Sequence, residues 1–109
     1  MVRQYDGKGW FRDENFGKGN YTRASAKISN SYFGLGGRDN IYLGLYLEFR
    51  TEEGRTTFWD MLDSNDIKQL LIQFHERDVS LLENKIVQIL RADSDPLKTV
   101  GFLVNKNLI

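Results

Sequence analysis

Residues 41–50, IYLGLYLEFR, decide the fold because large apolar side chains alternate strictly along them. The apolar positions are Ile41, Leu43, Leu45, Leu47 and Phe49. Alternation of this kind places them on one face of a β-strand, with Tyr42, Gly44 and Tyr46 on the other face. We therefore predict a central strand with one face in the core and a second face that is partly covered.

The residues that follow predict a hairpin and then a helix. Thr51–Gly54 is a turn in which Gly54 supplies a positive φ, and residues 55–60 (RTTFWD) form the returning strand. Residues 65–76 form an amphipathic helix with Asp63 or Ser64 as its N-cap. If this helix packs on the strand's apolar face, one set of side chains is expected to be almost fully buried: Leu45, Leu47, Leu70, Leu71 and Phe74.

Three further strands are predicted at 26–33, 85–91 and 98–105, with a short helical turn at 80–83. A glycine-rich loop, 34–40, joins the first of these strands to the central one. The element order is β-β-β-α-β-β. Short polar connections between neighbouring strands predict an α+β fold, an antiparallel sheet of about five strands with one main helix packed on one face. Residues 25–109 form this single domain.

Residues 1–24, MVRQYDGKGWFRDENFGKGNYTRA, follow no secondary-structure period and are predicted to form an irregular arm. Aromatic residues alternate there with glycine and with Lys or Arg. Such an arm could cover its own sheet, contact a second subunit or partner, or stack on nucleic acid. With Trp10 and Phe11 as anchors and Arg12 as a polar clamp, deletion of residues 1–20 is expected to leave 26–105 folded but to abolish association.

Composition sets limits on function. Fifteen Lys and Arg balance fifteen Asp and Glu, which argues against a protein that wraps DNA. The sequence has no cysteine, which excludes disulfides and thiolate sites and suits a reducing cytoplasm. No window approaches the roughly 20 apolar residues of a membrane span. We expect a cytoplasmic protein that does not bind membranes.

No catalytic motif occurs in the sequence, and we predict no catalytic residue, metal or cofactor. The single histidine, His75, lies at a helix edge, and Asp39, Asp60 and Asp63 have the positions of turn formers and caps. An alternative that stays open is a small hydrolase using Asp39 or Asp60 with His75. The 34–37 glycines do not form a phosphate-binding loop, because a strand rather than a helix follows them. Arg38 could still contact a phosphate or a carboxylate.

The chain resembles a type of small phage-encoded protein over AKISNSYFGLGGRDNIYLGLYLEF, GRTTFWDMLDS, IKQLLIQF, VSLLENKIVQIL and TVGFLVN. Where that type carries an Asp-His-Gly-like loop this chain has Arg38-Asp39-Asn40, and where it carries Gly-Phe-Gly-Gly-Tyr this chain has residues 57–60 (TFWD). Some phage proteins of this layout act against host immunity, including anti-Thoeris sponges that sequester cyclic ADP-ribose-type signals. The resemblance implies aromatic stacking and arginine–phosphate contacts in a cleft between protomers.

We therefore expect a non-enzymatic, phage-type binding protein that acts against host defence. It would sequester a nucleotide-like ligand or occupy a host protein in the host cytoplasm, as a homo-oligomer. The alternative is an accessory protein that binds single-stranded nucleic acid. The candidate binding residues are Trp10, Phe11, Arg12, Tyr21, Arg38, Asp39, Tyr42, Phe58 and Trp59.

Overall fold

The computed structural model describes residues 2–5, 9–12, 21–92 and 95–104. Two 3₁₀ turns within this part of the chain lie at Arg38–Asn40 and at Val79–Leu82. The strands and the helix are, in chain order, β1 (Val2–Tyr5), β2 (Gly9–Arg12), β3 (Tyr21–Gly36), β4 (Tyr42–Thr51), β5 (Gly54–Asp60), α1 (Ser64–Phe74), β6 (Ile86–Ala92) and β7 (Asp95–Val104).

All strands belong to one antiparallel sheet, in the order β1-β2-β7-β6-β3-β4-β5. Strands β3 to β7, with α1 on the core face, have the predicted element order, so the predicted α+β fold is confirmed. The sheet curls until its β5 side meets β7, where the hydroxyls of Thr56 and Thr99 lie 2.8 Å apart. Phe102 of β7 also packs edge-on against Phe58 of β5, with ring centres 5.4 Å apart.

Strand β3 is sixteen residues long and changes partner halfway. Residues Tyr21–Lys27 pair with β6, whereas Lys27–Gly36 pair with β4. A register shift between Ile28 and Asn30 marks the change. Such a bulge bends a strand and increases its twist, which is what the curl of the sheet requires.

The core lies inside the curl, under α1 and the 79–82 turn. Leu45, Leu47, Leu70 and Phe74 are at most 1% exposed, as predicted, whereas Leu71 is only partly buried. The buried cluster also contains Phe49 of β4 and Leu62, which lies between β5 and α1. Further members come from other strands and from the 79–82 turn: Ile28, Phe58, Val79, Leu82, Val87, Ile89, Phe102 and Val104.

Two predictions for the central strand are wrong. Ile41 precedes β4 and is 66% exposed, and Leu43 is 52% exposed although it shares a face with Leu45. The predicted loop at 34–40 is also shorter in the structure, because Gly34 and Gly36 pair with β4 as part of β3. The β3–β4 hairpin therefore extends beyond the core, and its apolar alternation continues into solvent.

The prediction of an irregular N-terminal arm is wrong for the described residues. β2 pairs with β7 and β1 pairs with β2, so both extend the sheet to seven strands. Residues 13–20 of the predicted arm lie outside the described residues, as does Asn105 at the end of the predicted last strand.

The side chain of Trp10 packs β2 against the core, in addition to the pairing of β2 with β7. The side chain is 1% exposed, and its indole Nε1 donates a 2.7 Å hydrogen bond to Oε1 of Gln73 in α1. A tryptophan in this position fills the core and gives its one donor a partner. We therefore expect, contrary to the sequence-based prediction, that residues 26–105 need residues 1–20 for a stable fold.

Helix α1 begins and ends at residues with identifiable capping roles. Asp63 is the N-cap, as the sequence allowed, and its carboxylate accepts a 2.8 Å bond from the backbone N–H of Asp66. Desolvation, followed by the neighbouring Asp63 charge, raises the pKa of Asp66. His75 ends the helix in the left-handed conformation, with φ 54°. No helix among the described residues has the length and apolar content needed to cross a bilayer.

Candidate functional site

Four aromatic residues gather on the outer face of the sheet, at the end where the β3–β4 hairpin extends beyond the core. We call this surface the aromatic face; it consists of Tyr32, Tyr42, Tyr46 and Trp59. Register explains the grouping, because Tyr32 lies opposite Tyr46, Tyr46 lies opposite Trp59, and Gly36 lies opposite Tyr42. Residues opposite one another on neighbouring strands point to the same side of a sheet, so the rings become neighbours.

Glycine makes room for the largest of these rings. A methyl group at Gly44 would lie 2.8 Å from Cζ2 of Trp59 and 2.5 Å from the carbonyl oxygen of Asp60. One at Gly36 would overlap the indole nitrogen of Trp59. The indole therefore lies flat on the backbones of β3 and β4, in space that only glycine leaves open. Its buried Nε1 has no hydrogen-bond acceptor among the described residues.

Tyr32 and Tyr46 form a stacked pair beside the indole. Their ring centres are 4.9 Å apart, and the planes differ by 19°. Burial raises the pKa of Tyr46, and the nearby Glu48 carboxylate raises it further. The Tyr46 phenol therefore stays neutral and serves as a fixed support for Tyr32, which is 43% exposed.

A polar rim lies next to the rings. The 3₁₀ turn Arg38–Asn40 connects β3 to β4, and both Arg38 and Asp39 are exposed. Asp39 and Asn40 have φ values of 65° and 54°, a conformation that Asp and Asn tolerate better than most residues. Tyr42, 46% exposed, follows this turn. The surface thus offers half-exposed phenol rings packed on the sheet, with one guanidinium and one carboxylate at its border.

The structure brings together four of the predicted site residues: Arg38, Asp39, Tyr42 and Trp59. It does not bring the others to this surface. Trp10 and Phe58 are buried in the core at 1% and 0% exposure, so neither side chain is available to bind a partner, and the prediction that they are binding residues is wrong. Tyr21 begins β3, opposite Ala92, at the end remote from the aromatic face. Phe11 and Arg12 belong to β2, and their side chains lie outside the described part of the structure.

The sequence analysis placed Gly44 and Tyr46 on a partly covered face, but it did not identify Trp59 as the cover or include Tyr32 and Tyr46 among the binding residues. A signal was present, because Gly34 and Gly36 occupy alternate positions of one strand and Gly44 lies between two tyrosines on the next. Glycine repeated on one face of a strand pair indicates a close approach by another group. That the group is Trp59 follows only from the β4–β5 register.

The residues considered for hydrolysis have local structural partners. The carboxylate of Asp60 accepts a 2.8 Å bond from the backbone N–H of Met61, Asp63 caps α1 at its N-terminus, and His75 caps it at its C-terminus. Among the described residues, no group of three or more His, Asp or Glu side chains could hold a metal ion.

No protein-family model matches the chain, and neither a curated protein nor a solved structure is significantly similar to it.

Proposed function

We propose that this chain is a non-enzymatic binding protein that acts by occupying another protein through its aromatic face. The observation that carries the proposal is the half-exposure of Tyr32 and Tyr42 on a surface where Trp59 packs on glycine, with exposed Arg38 at its border. Tyrosine, tryptophan and arginine are enriched among the residues that dominate protein–protein affinity. A ring that is already held by Tyr46 or by the glycine backbone loses little side-chain entropy on binding.

The partner that we propose is a host defence protein met in the host cytoplasm. This part of the proposal rests on the resemblance to phage-encoded anti-defence proteins, and the absence of cysteine suits a reducing compartment. The zero formal net charge also suits contact with a protein better than coating of a polyanion.

Site-specific photocrosslinking tests the proposal. A photoreactive phenylalanine analogue replaces Tyr42 in one variant and Ile72 in a control variant, since Ile72 is 55% exposed on α1, away from the aromatic face. We expect one host protein to be captured through position 42 and not through position 72. Calorimetry with that purified protein should then give a Kd about tenfold or more weaker for Tyr42→Ala. Equal capture at both positions, or no capture, would contradict the proposal.

A second candidate is sequestration of a nucleotide-like ligand, which the stacked Tyr32–Tyr46 pair favours. An exposed phenol ring can stack on a purine base, and Arg38 could contact a phosphate. Calorimetric titration with nucleotides and cyclic ADP-ribose-type signals measures this directly, with Tyr32→Ala as the variant. The same titration with single-stranded oligonucleotides tests the nucleic-acid alternative, for which affinity should fall steeply as salt rises.

A further inference from the structure

The second half of β3 has one edge without a strand beside it. β6 pairs with β3 only over Tyr21–Lys27. Residues 79–85, which precede β6, contact the next few residues of β3. The backbone of Ile28 bonds to Lys85 and Asn84, and the hydroxyl of Ser31 donates to the carbonyl of Val79. Beyond Ser31, no strand among the described residues pairs with this edge, although the other edge of β3 pairs with β4 as far as Gly36.

The direction of the backbone groups at this edge follows from the alternation of the strand. The N–H and C=O of Ile28 point away from β4, and its side chain is in the core. In a strand of L-residues, the face of the side chain and the side to which the backbone groups point alternate together. Phe33 and Leu35 share the core-side face with Ser31, so their N–H and C=O groups point to the open edge.

This edge lacks the features that normally keep edge strands apart. Residues 32–37, YFGLGG, contain no charged residue and no proline. Leu35 is 61% exposed and its cross-strand neighbour Leu43 is 52% exposed, so apolar area borders the edge. Uncharged edges with apolar flanks are templates for pairing with another chain.

We propose that two copies of this chain pair antiparallel through the 32–37 edge of β3, around a two-fold axis at Leu35. The axis lies there because cover by the 79–85 segment ends at Ser31, so the partner strand has room only beyond it. Leu35 of each copy then lies directly opposite Leu35 of the other. The two sheets become continuous, and an axis perpendicular to the sheet leaves both aromatic faces on the same side.

A second copy fits the surroundings of the edge in apolar area and in charge. In this arrangement the Arg38–Asn40 turn of each copy, which carries exposed Arg38 and Asp39, approaches the 79–82 turn of the other. Leu81 is 44% exposed there, and Asp78 and Glu83 are exposed acids that Arg38, though not Asp39, complements in charge. Hydrogen bonds from the N–H and hydroxyl of Ser80 lower the pKa of Asp78, so it is an anion there. A formal net charge of zero leaves no long-range repulsion between copies.

Sedimentation equilibrium of the full chain, from about 5 µM to about 1 mM, tests the pairing. We expect a reversible monomer–dimer equilibrium. Leu35→Lys should weaken the dimer about tenfold or more, because it places two ammonium groups directly opposite each other. Leu43→Lys is the matched control: it is an exposed leucine on the same face, but the two copies of position 43 lie three strand spacings, about 14 Å, apart.

A mixture of Leu35→Lys with Leu35→Glu chains gives the sharpest result. Only if position 35 faces position 35 should the mixture form a heterodimer while each variant alone stays monomeric. Circular dichroism of each variant establishes that it is folded. A wild-type monomer at every concentration, equal weakening by Leu35→Lys and Leu43→Lys, or failure of the mixture to associate would overturn the inference. It does not rest on the proposed function, since self-association is measured without any partner.

Discussion

At the scale of single residues, the aromatic face depends on two glycines, Gly36 and Gly44, whose lack of a side chain leaves room for Trp59. Trp59 occupies the space that side chains at Gly36 and Gly44 would fill. Gly34, on the same strand face, has a different environment, because a methyl group there would meet only Cδ2 of Tyr32 at an ordinary 3.7 Å. Gly34 and Gly44, which lie opposite each other in neighbouring strands, thus have opposite tolerance for substitution, because the indole of Trp59 and the carbonyl oxygen of Asp60 lie against Gly44 and not against Gly34.

Gly44→Ala is therefore expected to lower the free energy of unfolding by about 1–3 kcal/mol, because either Trp59 or the β5 backbone must move. Gly34→Ala should instead be neutral or raise it by about 0.5–1 kcal/mol, since alanine loses less backbone entropy on folding. Urea denaturation followed by circular dichroism measures both. Equal effects of the two substitutions would mean that neither Trp59 nor the Asp60 carbonyl lies against Gly44 in solution.

At the scale of elements, α1 shows how local chemistry sets the ends of a helix. Asp63 holds the first turn, and the last turn closes with bonds from the N–H of His75 to the carbonyl of Ile72 and from the N–H of Glu76 to that of Leu71. This is the arrangement in which glycine is the usual residue at the left-handed position. Here His75 takes it, with φ 54°, and its Cβ is close to a carbonyl oxygen as a result.

His75→Gly should accordingly raise the free energy of unfolding by about 0.5–1 kcal/mol, because glycine adopts this conformation without a steric penalty. His75→Ala provides the control, since alanine keeps the Cβ and should give no such gain. Thermal unfolding of the three proteins at the same pH makes the comparison. A gain for alanine equal to that for glycine would place the cause in the imidazole rather than in the backbone.

At the scale of the whole molecule, the sheet closes around its core by curling, and the N-terminal strands complete it. β2 extends the sheet beside β7, and Trp10 reaches from β2 to Gln73 of α1. On the far side of the curl, Thr56 and Thr99 join β5 to β7. The first strands are therefore part of the structure that holds the helix on the sheet.

Deletion of residues 1–20 is expected to destabilise the domain severely, since it removes Trp10 and uncovers β7. Trp10→Ala alone should lower the free energy of unfolding by about 3–5 kcal/mol. Trp10→Phe is the matched control, because it keeps most of the apolar area while it removes the hydrogen bond to Gln73, and its cost should be smaller. If the truncated chain unfolds at the wild-type urea concentration, β1 and β2 are not needed for the fold.

For β3 to β7 and α1, the sequence by itself determined the element types, their order and the helix start, because each depends on residues close together in the chain. Alternation at 41–50, helical spacing at 67–74 and Asp63 before the helix are local patterns, and the α+β fold follows from them. Only the tertiary structure decided which positions are buried. Leu43 occupies an equivalent position to Leu45 in the alternating pattern, yet it is exposed because the apolar face of the strand extends beyond the elements that cover it. Trp10 reaches the core because β2 pairs with β7, a strand distant in sequence, and Trp59 reaches Gly36 and Gly44 through the registers of two successive hairpins. The pattern of residues within a single strand carries no information about either register.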